Sequence, residues 1–160
     1  MTVEILQIDE SFKDWDGLLA LVLAAFDYMH PLIDPPSSAL KLTPETLRAK
    51  AAEEIGYAAM MDGRLVGCLF CRQEGAETLY LGKLAVLPDL QGKGIGRAML
   101  AAAEGVARAC GVTRLKLETR IELKGNHERF AAWGFRRVAE KSHPGYERTT
   151  FVEMVKPLQA

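Results

Sequence analysis

Val86-Leu87-Pro88-Asp89-Leu90-Gln91-Gly92-Lys93-Gly94-Ile95-Gly96 decides how this chain is read. An apolar, strand-like run ends at Pro88. A basic, glycine-rich turn follows, and a long amphipathic segment begins near Ile95. Glycines at alternate positions let the backbone come close to a bound group and accept dihedrals that a side chain resists. Backbone N–H groups at such a turn, joined to a helix start, form an anion site. Lys93 and Arg97 add positive charge beside it.

Downstream, Ile95, Met99, Ala103, Val106 and Cys110 recur at helical spacing, and Gly111 is placed to close that helix. Its alanines favour helicity and close approach to a sheet. Arg114 to Thr119 reads as a strand with Leu115 and Leu117 on one face. The polar Glu122–Arg129 stretch leads into a short helix ending at Trp133. Phe135 to Ala139 is a further strand, Ser142-His143-Pro144-Gly145 a turn, and Thr149 to Val155 a last strand.

Upstream, Thr78 to Leu87 is the strand that delivers the chain to the glycine turn. Gly56–Met61 and Leu65–Arg72 flank Asp62-Gly63, a strong hairpin signal. Thr43 caps a helix with Pro44 at its first position, running to about Glu54. Asp27 to Leu42 is a proline-stiffened loop whose polar-tipped residues are Tyr28 and His30. Trp15, Leu18, Leu19, Val22 and Phe26 mark an amphipathic helix within Phe12–Phe26, and Val3–Ile8 is the first strand. This order predicts a mixed α/β layer with helices against a sheet, not the regular alternation of a doubly wound fold.

The 160 residues fit one domain over 1–160 with a real core. A formal net charge of -1 argues against a nucleic-acid partner, which calls for a basic face. The three cysteines, Cys68, Cys71 and Cys110, form an odd set in apolar surroundings, which predicts reduced thiols and a cytoplasmic setting. No signal pattern and no run of membrane-spanning length is seen, so a membrane role is not expected. His30, His127 and His143 form no ligand-spaced set, so no metal is expected. No serine or cysteine shows the partners of a nucleophilic triad.

The turn is not a nucleotide P-loop, because Gly96 is followed by Arg97-Ala98 and not by Lys-Ser/Thr. A dinucleotide fingerprint fits poorly, because the chain upstream is hairpin-like. Val86-x-Pro88-x-x-Gln91-Gly92-x-Gly94-Ile95-Gly96 instead resembles the acetyl-coenzyme A motif of the GCN5-related N-acetyltransferases (GNAT). Leu117-Glu118-Thr119, Trp133-Gly134-Phe135 and the closing Met154-x-Lys-Pro-Leu158 resemble the same superfamily, and the likeness in element order covers essentially the whole chain.

The resemblance implies an α+β, acyl-coenzyme A N-acyltransferase fold. Its mixed, mostly antiparallel sheet would have about seven strands flanked by helices, split between the fourth and fifth. Acetyl-coenzyme A, the co-substrate, would enter the split. Gln91, Gly92, Lys93, Gly94, Ile95 and Gly96 would meet the pyrophosphate, with Arg97 nearby. Leu84, Ala85 and Val86 would run beside the pantetheine arm. An amine on a small molecule or peptide would attack the thioester directly in a ternary complex. Dimerisation is common in the superfamily, which leaves a homodimer built on the end strands open.

Many family members carry a tyrosine five residues before the Gly-Phe phenylalanine, commonly assigned to protonate the departing thiolate. Here that position is Phe130, which has no proton to give. The asparagine often found seven residues earlier is Leu123, although Asn126 lies close enough for a shifted alignment to supply it. Tyr80, His127 and Tyr146 are then the candidate proton donors. Glu118, Glu77 or an ordered water are candidates for the base. Lys83, oddly polar within a central strand, is a candidate acceptor contact, together with Tyr28, His30 and Tyr146. Phe130 packs beside the cofactor in this reading. The alternative reading is a non-catalytic acyl-coenzyme A-binding module.

Overall fold

Strand and helix formation follow the sequence pattern closely. The computed structural model describes residues 2–159. The strands are β1 (Val3–Gln7), β2 (Ile55–Met61), β3 (Arg64–Glu74), β4 (Thr78–Val86), β5 (Arg114–Arg120), β6 (Arg136–Lys141) and β7 (Phe151–Pro157). The helices are α1 (Trp15–Phe26), α2 (Pro44–Glu53), α3 (Ile95–Cys110) and α4 (Lys124–Ala132). Single 3-10 turns cover Asp27–Met29, Ser38–Lys41 and Pro88–Leu90. Two of these lie in the stretch read from sequence as plain loop.

Local chemistry explains the joints. Thr43 caps α2 by accepting from the Thr46 N–H at 3.1 Å, and the Thr46 hydroxyl accepts from the Thr43 N–H at 2.8 Å. Asp62 and Gly63 both have positive φ, 52° and 77°, the turn that suits the twist of the β2–β3 hairpin. Gly111 takes a left-handed conformation and ends α3. The last two strands start later than expected. Phe135 leaves the strand to enter the core, at 3% exposure, and β6 begins at Arg136. Thr150 stays outside β7, where its hydroxyl accepts the His143 N–H at 2.8 Å.

The sheet order is β1-β2-β3-β4-β5-β7-β6. Every neighbouring pair is antiparallel except β4–β5, which is parallel. That pair matches only Thr78–Tyr80 with Arg114–Lys116, after which the two strands part. This is the acyl-coenzyme A N-acyltransferase architecture with its split sheet.

Each face has its own apolar layer. On one, Met99, Ala103, Val106 and Ala107 of α3 pack on Leu79, Leu81, Leu115, Leu117 and Met154. On the other, Leu18, Leu21 and Val22 of α1 and Leu47 of α2 cover Ala58, Cys68, Phe70 and Ala85. Burying one such leucine, valine or phenylalanine stabilises by roughly 1.5–3 kcal/mol. The second cover stops at β4. Over β5, β7 and β6 that face carries polar side chains instead: Lys116, Glu118, Glu153 and Lys141.

Candidate functional site

Where β4 and β5 part, the structure opens a cleft of about 410 Å³. Its walls come from the end of α1, the last residues of β4, the glycine turn with the start of α3, and α4. Gly92 and Gly94 sit at φ of 81° and 86°. No atom lies within 4 Å of a Cβ built on either one, so both positions border open space. Gly94 is the N-cap of α3 and offers no side-chain acceptor, and the helix has no acidic residue in its first turn. The first backbone bond into α3 runs from the Ala98 N–H to the Gly94 carbonyl at 3.0 Å. The N–H groups ahead of it are left for an outside acceptor, with the positive helix end behind them.

The β4 wall is main chain. Beyond Tyr80 its β5-facing edge has no strand partner. The Val86 carbonyl on this edge accepts from the Gln91 side chain at 3.3 Å. α4 forms the opposite wall. The Trp133 ring stands against Gly96, 2.8 Å from where a Cβ would be, and Arg97 donates to the Ala132 carbonyl at 3.4 Å. Phe130 meets Trp133 and Phe135 edge-to-face, with ring centroids 5.6 and 6.0 Å away.

Of the residues proposed from sequence for the coenzyme, Leu84, Ala85, Val86, Gln91, Gly92, Gly94, Ile95, Gly96, Arg97, Asn126 and Phe130 line this cleft together. Lys93 does not; it is exposed on the outside of the turn. Ala25, Phe26, Met29, Leu90, Arg129 and Trp133 also line it and are not among the residues expected there from sequence. Their pattern is ordinary helix patterning, which carries no sign of a ligand.

A second group of residues lies on the polar face of the sheet. Leu79, Leu81, Leu115 and Leu117 face α3, so the alternation of strand residues turns Tyr80 and Glu118 the other way. There the Tyr80 hydroxyl donates to Glu118 Oε1 at 3.2 Å, with the Arg72 guanidinium 4.2 Å from the centre of its ring. Burial, and then the Glu118 charge, push the Tyr80 phenol well above its ordinary range. Its proton is therefore hard to remove, and Tyr80 is better suited to orient Glu118 than to act as an acid.

The segment between α1 and α2 is fastened beside this pair. Arg120 donates to the Pro35 and Pro36 carbonyls at 2.7 and 3.1 Å, and Arg148 to the Asp34 carbonyl at 2.6 Å. The Tyr146 hydroxyl donates to Asp34 Oδ1 at 2.7 Å. Lys83 donates to the Ser38 hydroxyl at 2.8 Å, and burial lowers its pKa. Through Ser38 and Asp34 these contacts tie Lys83 and Tyr146 to the same segment. His30 is half-buried outside the cleft lining, and its Nδ1 is buried without a hydrogen-bond partner.

Three residues expected from sequence stand in surroundings the sequence did not indicate. His127 has both ring nitrogens engaged, Nε2 with the Arg120 carbonyl at 2.9 Å and Nδ1 with Arg137 at 3.0 Å, and it is not part of the cleft lining. It ties α4 to β5, so we give it no catalytic role. Glu77 lies at the start of β4, where its carbonyl accepts from Thr113 and Arg114. That is the paired end of β4 and β5, away from the split. Tyr28, expected as an acceptor contact, lines the cleft together with the residues expected for the coenzyme and pairs with Asn126.

The profile of the Acetyltransferase (GNAT) family matches residues 15–135. This chain belongs to the GNAT family. No curated protein matches it. Solved GNAT structures share the fold across nearly the full length. The PaiA N-acetyltransferase from Thermoplasma acidophilum, in complex with coenzyme A, is 18% identical, with a TM-score of 0.78 over 98% of this chain and 99% of that one. A GNAT family acetyltransferase from Elizabethkingia anophelis with acetyl-CoA bound is 20% identical, with a TM-score of 0.68 over 98% of each. The ribosomal-protein-S18-alanine N-acetyltransferase from Escherichia coli is 18% identical, with a TM-score of 0.74 over 99% of this chain and 96% of that one. At these identities the likeness concerns the fold of the GNAT chain and not its acceptor.

Proposed function

We propose that the chain is an acetyl-coenzyme A-dependent N-acetyltransferase acting on an amine of a small molecule or a peptide. One observation carries the reading. The uncapped glycine start of α3 and the unpaired edge of β4 belong to a single cleft, which opens where the sheet splits. The α3 start suits a diphosphate, and a free strand edge suits an amide-bearing arm. An acetyl thioester on that arm would reach the split, within range of the polar sheet face.

The amine approaches from the side of Tyr80 and Glu118. Glu118 takes one proton from its ammonium form, leaving the neutral amine to attack, and Tyr80 holds the carboxylate in place. The amine nitrogen then forms its bond to the acetyl carbon, the carbon–sulfur bond breaks, and the electron pair leaves on sulfur. Holding the two reactants together supplies much of the rate in such a direct transfer. No covalent attachment to the protein is needed.

Titration calorimetry with coenzyme A and a thiol-release assay across an amine panel test the proposal. Binding with turnover of at least one amine is the expected result. Tight binding with no turnover across a broad panel would leave the non-catalytic binding module as the better reading. Absence of binding would remove both.

A further inference from the structure

The cleft lacks the phenol that the family resemblance puts on α4, because Phe130 stands there. It holds another phenol from a different element. Tyr28, in the 3-10 turn after α1, lines the cleft and reaches across to Asn126 on α4. Among the described residues lining the cleft, the titratable side chains are Tyr28, Arg97 and Arg129. An arginine keeps its proton under all ordinary conditions, whereas a phenol can give one up and regain it.

The direction of α4 fixes which end of the cleft Tyr28 serves. The last turn of the helix, at Ala132 and Trp133, touches Arg97 and Gly96 at the anion cradle. Asn126 is seven residues earlier, about 10 Å along the axis at 1.5 Å per residue. The Tyr28–Asn126 pair therefore stands at the end of the wall remote from the cradle. A thioester extends to that end when its diphosphate rests on α3. The hydrogen bonding suits a donor there. Asn126 Nδ2 donates to the Tyr28 hydroxyl oxygen at 3.2 Å, the shorter of the two contacts between the side chains. Used this way, the amide leaves the phenolic proton free to point into the cleft, and it steadies the oxygen when that proton has gone.

The geometry points to Tyr28 as the catalytic acid of the transfer, with Asn126 as its positioning residue. The inference rests on the acetyl-coenzyme A reading above. As the carbon–sulfur bond breaks, sulfur takes the electron pair and the Tyr28 phenol gives it a proton. Coenzyme A leaves as the thiol. The phenolate regains a proton from the acetylated nitrogen, through solvent at the open mouth of the cleft.

Calorimetry on the parent and Tyr28→Phe, with coenzyme A and with desulfo-coenzyme A, tests this directly. A hydrogen bond to sulfur makes the parent prefer coenzyme A by about three- to tenfold. In Tyr28→Phe that preference disappears, with affinity for desulfo-coenzyme A unchanged. An equal loss for both ligands would mean that Tyr28 only shapes the cleft, and an unchanged preference would place it away from sulfur. Either result overturns the assignment while the coenzyme reading stands. Failure of the parent to bind either ligand overturns both. With an acceptor from the amine panel, Tyr28→Phe should lower kcat about a hundredfold at unchanged KM for acetyl-coenzyme A. An unchanged kcat refutes the assignment.

Discussion

Replacing Gly94 by aspartate separates the anion cradle from the rest of the fold. Gly94 sits at φ 86° and ψ 4°, a left-handed conformation that costs an L-residue roughly 1–2 kcal/mol and costs aspartate or asparagine less. A Cβ there meets nothing within 4 Å, so the side chain enters open space and not the core. Folding should therefore survive, with a loss of about 2–4 °C in Tm for each kcal/mol in a chain of this size. Binding should not survive so well. A carboxylate about 5 Å from a bound phosphate charge, at an effective dielectric of about 20, is repelled by about 3 kcal/mol. That is roughly two orders of magnitude in affinity. Gly94→Asn has nearly the same shape and backbone demand without the charge, so calorimetry of Gly94→Asp against Gly94→Asn isolates electrostatics. The expected result is folded protein in both, with coenzyme A affinity falling about a hundredfold further in the aspartate variant. Equal affinities in the two variants would refute the cradle.

Four further outcomes follow from particular contacts and from burial. Glu118→Gln keeps the bond from Tyr80 but removes the proton acceptor, so kcat should fall by a factor of about a hundred or more while calorimetry shows unchanged coenzyme A affinity. An unaltered kcat would exclude Glu118 as the base. Cys68 and Cys71 are buried, and burial pushes each thiol up to about 12 from 9.0. A raised folded-state pKa means stability that is full below pH 9 and lost as pH rises toward 12. The loss should be about 1.4 kcal/mol per thiol by pH 10, read from denaturant midpoints, and Cys68→Ala should flatten the profile. Chromogenic thiol titration of the native protein should find Cys110 alone, which is exposed, and all three cysteines after unfolding. Thr43→Ala removes the α2 cap and should cost about 1 kcal/mol, seen as a Tm decrease of a few degrees, with coenzyme A binding intact.

Much of this was legible in the residues because it rests on local rules. The Asp62-Gly63 turn, the Thr43-Pro44 start of α2 and the Gly111 end of α3 each need a particular residue for a stated backbone reason. The glycine turn belongs with them. The starts of β6 and β7 depart from the local pattern because tertiary demands override it there: Phe135 fills the core, and the Thr150 hydroxyl is used by His143. His127 looked available because its partners, the Arg120 carbonyl and Arg137, lie on other elements. Tyr28 was read as an acceptor contact because a loop residue gives no sign of the wall it faces. Its partner Asn126 is 98 positions away.

Lys83 shows how the two halves of the site are joined. In sequence it is a charged residue inside a strand that should be apolar. In the sheet, Cys68 pairs with Ala85 and Phe70 with Gly82, so β4 spends three steps where β3 spends two. The extra residue makes a bulge, and Lys83 takes a φ of 51° within it. Such a bulge bends and twists its strand, and it falls just beyond Tyr80, where pairing with β5 has ended. It also turns the Lys83 side chain toward Ser38 and the segment between α1 and α2. One backbone irregularity thus lies between the paired start of β4 and the Leu84–Val86 stretch that lines the cleft, and it directs Lys83 to the α1–α2 segment. The two sides differ in what they ask of the sequence. A coenzyme held by strand edge and helix start needs backbone geometry, which glycines and proline announce. The proposed acceptor side, with Lys83, Glu118 and Tyr146, depends on side chains from separate elements, which come together only after folding.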